Sequence, residues 1–215
     1  RPWLGFYDLD YHNVGAFSQV DYSPWEAWTF VGGLRYDDNS RYGDVWNPRL
    51  AALFKPVDQW RFRASWGQAY LAPSPHLAYD RWGDLAEGAF VGLANEDLKP
   101  ERTDNFEAGA DWLPTCHLLL RTTALYIRGR DLFGNLDPEP MVIDGVNVYA
   151  VRTTNVNRSD IYGAQALADW QASEWLRLDG HYTYTEGQQE NGAGDRTDLP
   201  RMPQHLAQGH ATFEY

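Results

Sequence analysis

The stretch 59–70, QWRFRASWGQAY, constrains this chain more than any other. Trp60, Phe62, Ala64 and Trp66 fall on one side of a strand, and Arg61, Arg63, Ser65 and Gly67 on the other. Side chains of a strand alternate faces with period two, so one face is apolar and aromatic and the other polar. A helix would scatter the same aromatics around its circumference. A short turn, 55–58, precedes the stretch, and a long polar segment, 71–102, follows it.

That unit recurs. Alternating segments are read at 13–22, 28–36, 48–54, 59–70, 103–112, 117–128, 155–170, 175–185 and 203–215. Connections at 23–26, 55–58, 113–116 and 171–174 are short; those at 37–46, 71–102, 129–149 and 186–202 are long. The reading is all-β, an antiparallel up-and-down meander of about nine long strands. Membrane barrels alternate short periplasmic turns with long extracellular loops in this way, and strands of roughly 10 to 12 residues suit a tilted crossing of the bilayer. Trp25, Trp60, Tyr70, Trp112, Trp170 and Trp175 stand near strand ends, where interfacial girdles are expected. A soluble β-sandwich, barrel or propeller is the alternative. Its buried faces would favour Leu, Ile and Val, whereas these are Ala, Gly, Trp, Phe and Tyr. Such folds also rarely carry several loops longer than about 12–15 residues.

Composition narrows the function. The 215 residues carry a formal charge of -12, which disfavours a nucleic-acid partner. A mean hydropathy of -0.57 and the lack of a long apolar run exclude membrane-spanning helices but leave a strand-built barrel open. The single cysteine, Cys116, cannot form an internal disulfide and is expected as a free thiol in a short turn. Residues 1–10 show no basic stretch followed by an apolar core. The chain is therefore read either as cytoplasmic or as an internal piece of a longer exported protein. No metalloprotease, CxxC, P-loop or GxSxG pattern occurs, and Asn191-Gly192-Ala193-Gly194 lacks the following helix that a phosphate cradle needs. His181, His205 and His210 lack metal-ligand spacing. The reading is of no enzyme, no cofactor and no metal site.

The words of the sequence add to its rhythm. Gly33-Leu34-Arg35-Tyr36-Asp37 followed by Asn47-Pro48-Arg49-Leu50, then Tyr70-Leu71-Ala72-Pro73-Ser74, stand at strand ends. Asn95-Glu96-Asp97-Leu98-Lys99-Pro100-Glu101 precedes Glu107 and Gly109; Asn155 precedes Ile161-Tyr162-Gly163. Tyr182-Thr183-Tyr184-Thr185 and Leu199-Pro200-Arg201-Met202-Pro203-Gln204-His205 complete the series. In this order, over roughly residues 13–215, they resemble the barrel of a TonB-dependent outer-membrane receptor. Gln165 stands where that family often has Glu. The resemblance implies residues 1–215 as part of a 22-stranded barrel with a plugged lumen, the plug domain, the TonB box and the remaining strands lying outside them. It also implies location in the outer membrane of a Gram-negative bacterium. The implied activity is TonB-dependent uptake of a scarce nutrient such as a ferric siderophore, haem or cobalamin. The implied partners are membrane lipid, the plug, the TonB complex and a small metal-chelate ligand. A passive porin and a soluble carbohydrate-binding β protein are the competing readings.

Two sets of residues are candidates for the site. Arg61, Arg63, Asp111, Arg121, Asp169, Arg177 and Asp179 lie near short turns on polar strand faces. A charge facing lipid at midplane costs roughly 2–4 kcal/mol, so they are expected inside the lumen, where the resemblance has them hold the plug. Tyr79, Trp82 and Phe90, in the long loop 71–102, are expected to meet an amphipathic ligand. An open, curved sheet is expected, because closing nine strands would bury Arg35, Arg61, Glu107 and Asp179 together. Its convex face should carry Trp28, Phe30, Phe62, Trp66, Phe106, Tyr182 and Phe213, and the strands near 13–22 and 203–215 should be unpaired edges.

Overall fold

The computed structural model describes residues 11–79, 82–190, 195–199 and 202–213, the side chains of 156 and 157 excepted. Its elements are β1 (Asn13–Trp25), β2 (Trp28–Asn39), β3 (Gly43–Val57), β4 (Trp60–Leu71), α1 (Pro75–Tyr79), β5 (Phe90–Leu93), β6 (Glu101–Thr115), β7 (Leu118–Asn135), β8 (Glu139–Ile143), β9 (Val146–Ser173), β10 (Leu176–Glu190), β11 (Arg196–Asp198) and β12 (His205–Phe213). Nine long strands form an antiparallel meander in the order β1-β2-β3-β4-β6-β7-β9-β10-β12. Among the described residues β1 pairs only with β2 and β12 only with β10, so the sheet is an open arc.

The strands are longer than their alternation suggests. The segment expected as a loop at 37–46 shrinks to a turn at 40–42, and much of 129–149 is strand. Above the bilayer neither face meets hydrocarbon, so the ladder continues without the alternation that lipid enforces. Three short strands sit in these upper segments: β5 runs parallel to β9, β8 antiparallel to it, and β11 pairs with the top of β10. The phosphate-cradle residues 191–194, Pro200 and Arg201 of the last motif, and Tyr215 lie outside the described residues.

All four short connections share one construction. Each is a two-residue turn preceded by a register shift that leaves one extra residue on the first strand of the hairpin. In three of them the bulged segment holds a proline, Pro24, Pro56 or Pro114. Proline cannot donate to a ladder, and a bulge is where a sheet tolerates it. Adjacent hairpins are then joined by repeated backbone bonds: Lys55 N to Ala27 O, Leu113 N to Gln59 O and Gln171 N to His117 O, each 2.8 Å. The exposed Cys116 lies in the third turn.

Reading across the register shows how the outward face is layered. Trp60, Trp112 and Leu120 form one row. Above them, across β4, β6, β7 and β9, come Phe62-Ala110-Thr122-Ala166, then Ala64-Ala108-Ala124-Ala164, then Trp66-Phe106-Tyr126-Tyr162. Trp28, Phe30, Phe62, Trp66, Phe106, Tyr182 and Phe213 all fall on this face by register. Phe62, Phe106, Tyr162 and Trp170 are exposed, while buried apolar residues such as Ala78, Val91, Leu98, Val148 and Ala150 sit in the upper layer. This inverts a soluble domain, and an apolar sheet face of this extent is a surface made for lipid.

Candidate functional site: the luminal charge network and the loop layer above it

The alternation puts Arg61, Arg63, Asp111, Arg121, Asp169, Arg177 and Asp179 on the face opposite the aromatics. Asp111 is the hub. Arg121, directly opposite it on β7, donates through Nε and Nη2 at 2.9 and 2.8 Å. Arg63 reaches it diagonally from β4 and bonds Thr123 Oγ1 at 2.6 Å. The Asp111 side chain is only 6% exposed, so the two guanidiniums take the place of the water it gives up. Arg61 is directly opposite Asp111 yet makes no ion pair among the described residues.

Asp169 and Asp179 also face each other across a rung, a repulsive placement for like charges. Each has its own partner. Arg177 donates to Asp169 through Nε and Nη2 at 2.9 and 2.5 Å, and His210 Nδ1 lies 3.0 Å from Asp179 Oδ2. A third unit, Arg35 on Asp37 with two bonds of 2.7 Å, lies higher on the same face, beside a cleft of about 430 Å³ lined by Tyr11, Asn39, Asn47 and Tyr70. The sequence reading missed this cleft, because its walls come from four strands, β1 to β4, and from Tyr11 and Ala72 just outside them.

The loop aromatics have three different partners. Tyr79 on α1 accepts a hydrogen bond from Arg41, whose guanidinium carbon lies 4.5 Å from the ring centroid. Burial first, and then the nearby Tyr79 phenol, raise the Tyr42 hydroxyl above its ordinary pKa. Trp82 bridges Gly92, with backbone bonds of 3.2 and 2.8 Å, and its indole lies where a Cβ on Gly92 would stand. The Phe90 ring lies tilted against that of Tyr149, with centroids 5.6 Å apart.

The motif residues hold this layer down. Asn95 Nδ2 donates to Thr153 O at 2.8 Å; Lys99 N donates to Asn155 Oδ1 at 2.8 Å; Asn155 Nδ2 donates to Lys99 O at 2.7 Å and Asp131 O at 2.5 Å. Glu101 accepts from Phe133 N at 2.6 Å, and Leu98 is buried beneath them. Two motifs about sixty residues apart in the chain thus form one latch. Pro73 is fully buried, and Ser74 O accepts the first backbone bonds of α1.

Comparison with known proteins follows the same outline. A family model described as TonB dependent receptor-like, beta-barrel, matches residues 4–215. The iron-regulated outer membrane virulence protein of Vibrio cholerae is 24% identical over 203 residues, 93% of this chain and 31% of that protein. The vitamin B12 transporter BtuB of V. cholerae is 29% identical over 100 residues, 46% of this chain and 15% of the transporter. Among solved structures, the ferric enterobactin receptor of Pseudomonas aeruginosa superposes with a TM-score of 0.73 at 19% identity, over 93% of this chain and 30% of that one. The siderophore receptor PirA of Acinetobacter baumannii gives 0.71 at 19%, over 92% and 30%. The chain spans about a third of the length of these relatives.

Proposed function

The chain belongs to the TonB-dependent receptor β-barrel family, and on that premise we propose that the protein it forms part of imports a scarce nutrient, carried as a ferric chelate, in a TonB-dependent step. The chain is an integral barrel segment of the Gram-negative outer membrane. The described strands, from Asn13 to Phe213, supply an arc of its wall, and the plug and the other strands are assigned to the rest of the protein. The observation that carries the reading is the match over residues 4–215. The long extent of the iron-regulated relative favours iron over cobalamin, whose transporter matches under half of the chain.

The inner-face charges support a plugged rather than a water-filled lumen. Asp111 and Asp169 each have an arginine partner within the sheet and Asp179 has His210, which leaves Arg61, among the candidate arginines, with donors open to a plug carboxylate or carbonyl. Arg63, Arg121 and Arg177 then act by fixing the wall that faces the plug. In the loop layer, Tyr79 beside Arg41 and the tilted Phe90–Tyr149 pair are the groups offered to an aromatic, anionic chelate.

The test is uptake of radiolabelled ferric catecholate, haem and cyanocobalamin by cells with and without the full-length receptor, in TonB-competent and TonB-deficient backgrounds. TonB-dependent accumulation of the ferric chelate is expected. Accumulation that persists without TonB would establish a passive pore instead, and accumulation of cobalamin alone would reassign the cargo.

A further inference from the structure

We propose that the cleft between the upper ends of β3 and β4 is a binding site for a neutral, hydroxyl-rich ligand, a saccharide. The inference goes beyond the iron-chelate reading and takes from it only that this end of the wall faces out of the cell.

The cleft exists because a ladder stops early. The pairing of β3 with β4 runs from Val57–Trp60 up to Arg49–Gly67. Above that pair β3 continues to Gly43 against β2, and β4 to Leu71 against β6, with no rung between β3 and β4 among the described residues. Pro48 is the cause. Lys55 N donates to Ala27 O on the β2 side, so the alternation of an antiparallel ladder turns the nitrogen of residue 48 toward β4. Proline has no proton to give there. The strands part above it, and a cleft of about 430 Å³ opens among their upper residues and the inner faces of β1 and β2.

The lining carries no unbalanced charge. Arg35 and Asp37 are its only charged residues, and they satisfy each other through two bonds of 2.7 Å. The rest of its polar groups are three asparagines, one glutamine and two tyrosines. Asn39 Nδ2 donates to the Tyr11 hydroxyl at 2.8 Å, so that phenol keeps its own proton for another acceptor. Gln68 Nε2 donates to Asp104 at 2.8 Å, which leaves its carbonyl oxygen as an acceptor, and Asn47 reaches Asp37 only at 3.5 Å. The Tyr70 hydroxyl is buried and has no hydrogen-bond partner among the described residues. A buried polar atom without a partner is uncommon and calls for an occupant.

These groups select the ligand class. An anion finds no open guanidinium here, and a cation no open carboxylate. An apolar group would leave amides and phenols unpaired, which is costly once water is displaced. A peptide strand needs a run of open ladder groups, and Pro48 removes the first donor on one side. Sugar hydroxyls both donate and accept, which suits phenol donors set among amide oxygens. The volume falls within the roughly 300–1,000 Å³ of small-molecule sites.

The experiment uses the full-length receptor in a polyoxyethylene detergent, which carries no sugar. Calorimetry follows titration with the methyl glycosides of glucose, galactose, mannose and N-acetylglucosamine, with the dodecyl glycosides of the same sugars, and with methyl glucuronide as the anionic control. Saturable binding of at least one neutral glycoside is expected, with the glucuronide at least tenfold weaker. Binding of a methyl glycoside assigns a free sugar; binding confined to a dodecyl glycoside assigns a sugar carried on a lipid. Tyr70→Phe should weaken binding about tenfold, the loss of one hydrogen bond. Ala69→Leu, which removes no polar group and adds bulk inside the cleft, should abolish it. The ligand-free Tyr70→Phe receptor should unfold in urea at the same midpoint as wild type. A lower midpoint would show that another part of the protein already holds the hydroxyl, and would overturn the site. So would the absence of saturable binding by every glycoside, binding of the glucuronide equal to that of the neutral sugars, or unchanged binding in both variants.

Discussion

Arg63 crosses directly over Gly109: a Cβ on Gly109 would stand 2.7 Å from Arg63 Nη2 and 2.8 Å from Thr122 O. The glycine downstream of the 95–101 motif is therefore an opening in the inner wall through which Arg63 reaches Asp111 and Thr123. Gly109→Ala is expected to displace the guanidinium and destabilise the folded barrel by about 1–3 kcal/mol, the range for a lost charged hydrogen bond. Urea unfolding of the full-length receptor in detergent, followed by tryptophan fluorescence, checks it. Stability equal to wild type would show that Arg63 is not held there.

Asp111→Asn should cost more than Arg61→Gln. The first strands two guanidiniums around a neutral amide; the second removes a side chain without an ion pair. We expect a loss of roughly 2–3 kcal/mol for Asp111→Asn, discounted because both arginines are partly exposed, and a change within about 0.5 kcal/mol for Arg61→Gln. If Arg61 meets the plug, its variant should instead alter uptake or plug protection from protease at unchanged barrel stability.

The bulge prolines should be replaceable. Pro56→Ala restores an N–H at a bulge and is expected to change stability by under about 1 kcal/mol. Leu53→Pro, two residues before that bulge on the side of the strand that faces β2, removes a ladder donor between β2 and β3 and should prevent assembly. The heat-modifiable gel shift of a folded barrel distinguishes the two, and equal shifts would refute the bulge reading.

Asn155→Ala should unlatch the loop layer without unfolding the wall. It removes two donated bonds and one accepted bond that tie Lys99 and Asp131 together. New protease cleavage within 95–101, with the heat-modifiable shift retained, is the expected result; full protection would show that Leu98 burial holds the segment alone.

The upper hairpin should loosen in acid. Asp160 lies thirteen residues beyond the turn that follows Ser173, above the span of a tilted strand. Burial alone would raise its pKa, but bonds from Arg158 and Tyr126 outweigh it and hold the carboxyl below the ordinary range. A carboxylate held low stabilises above its unfolded pKa, near 4, and loses that contribution as pH falls through the folded value. Protection factors of residues 128–130 and 158–160, taken relative to the intrinsic exchange rate at each pH, should therefore hold from neutral pH to about 5 and fall below about 4. No change across that window would show that Asp160 contributes nothing.

Much of this protein was legible in its sequence because lipid enforces a strict rule. Where one face meets hydrocarbon and the other a polar lumen, every second residue must obey, and β4 shows it residue by residue from Trp60 to Gly67. The same rule put all seven of these charges on the face opposite the aromatics, since a period of two leaves no other choice once the side of Trp60 and Phe62 is set. Above the membrane the rule lapses. The strand extensions at 37–39, 129–135 and 146–149 were read as loops, although Asp37, Asn39 and Val148 are buried there. What only the tertiary structure decided are the pairings across strands. Asp111 joins Arg63 and Arg121, Asn155 joins Lys99, and Arg102, Arg130 and Arg158 share a rung, because register is set by hairpin geometry and bulges rather than by any local pattern. A strand's faces follow from its own residues; its neighbours follow from the turns that bring other strands beside it.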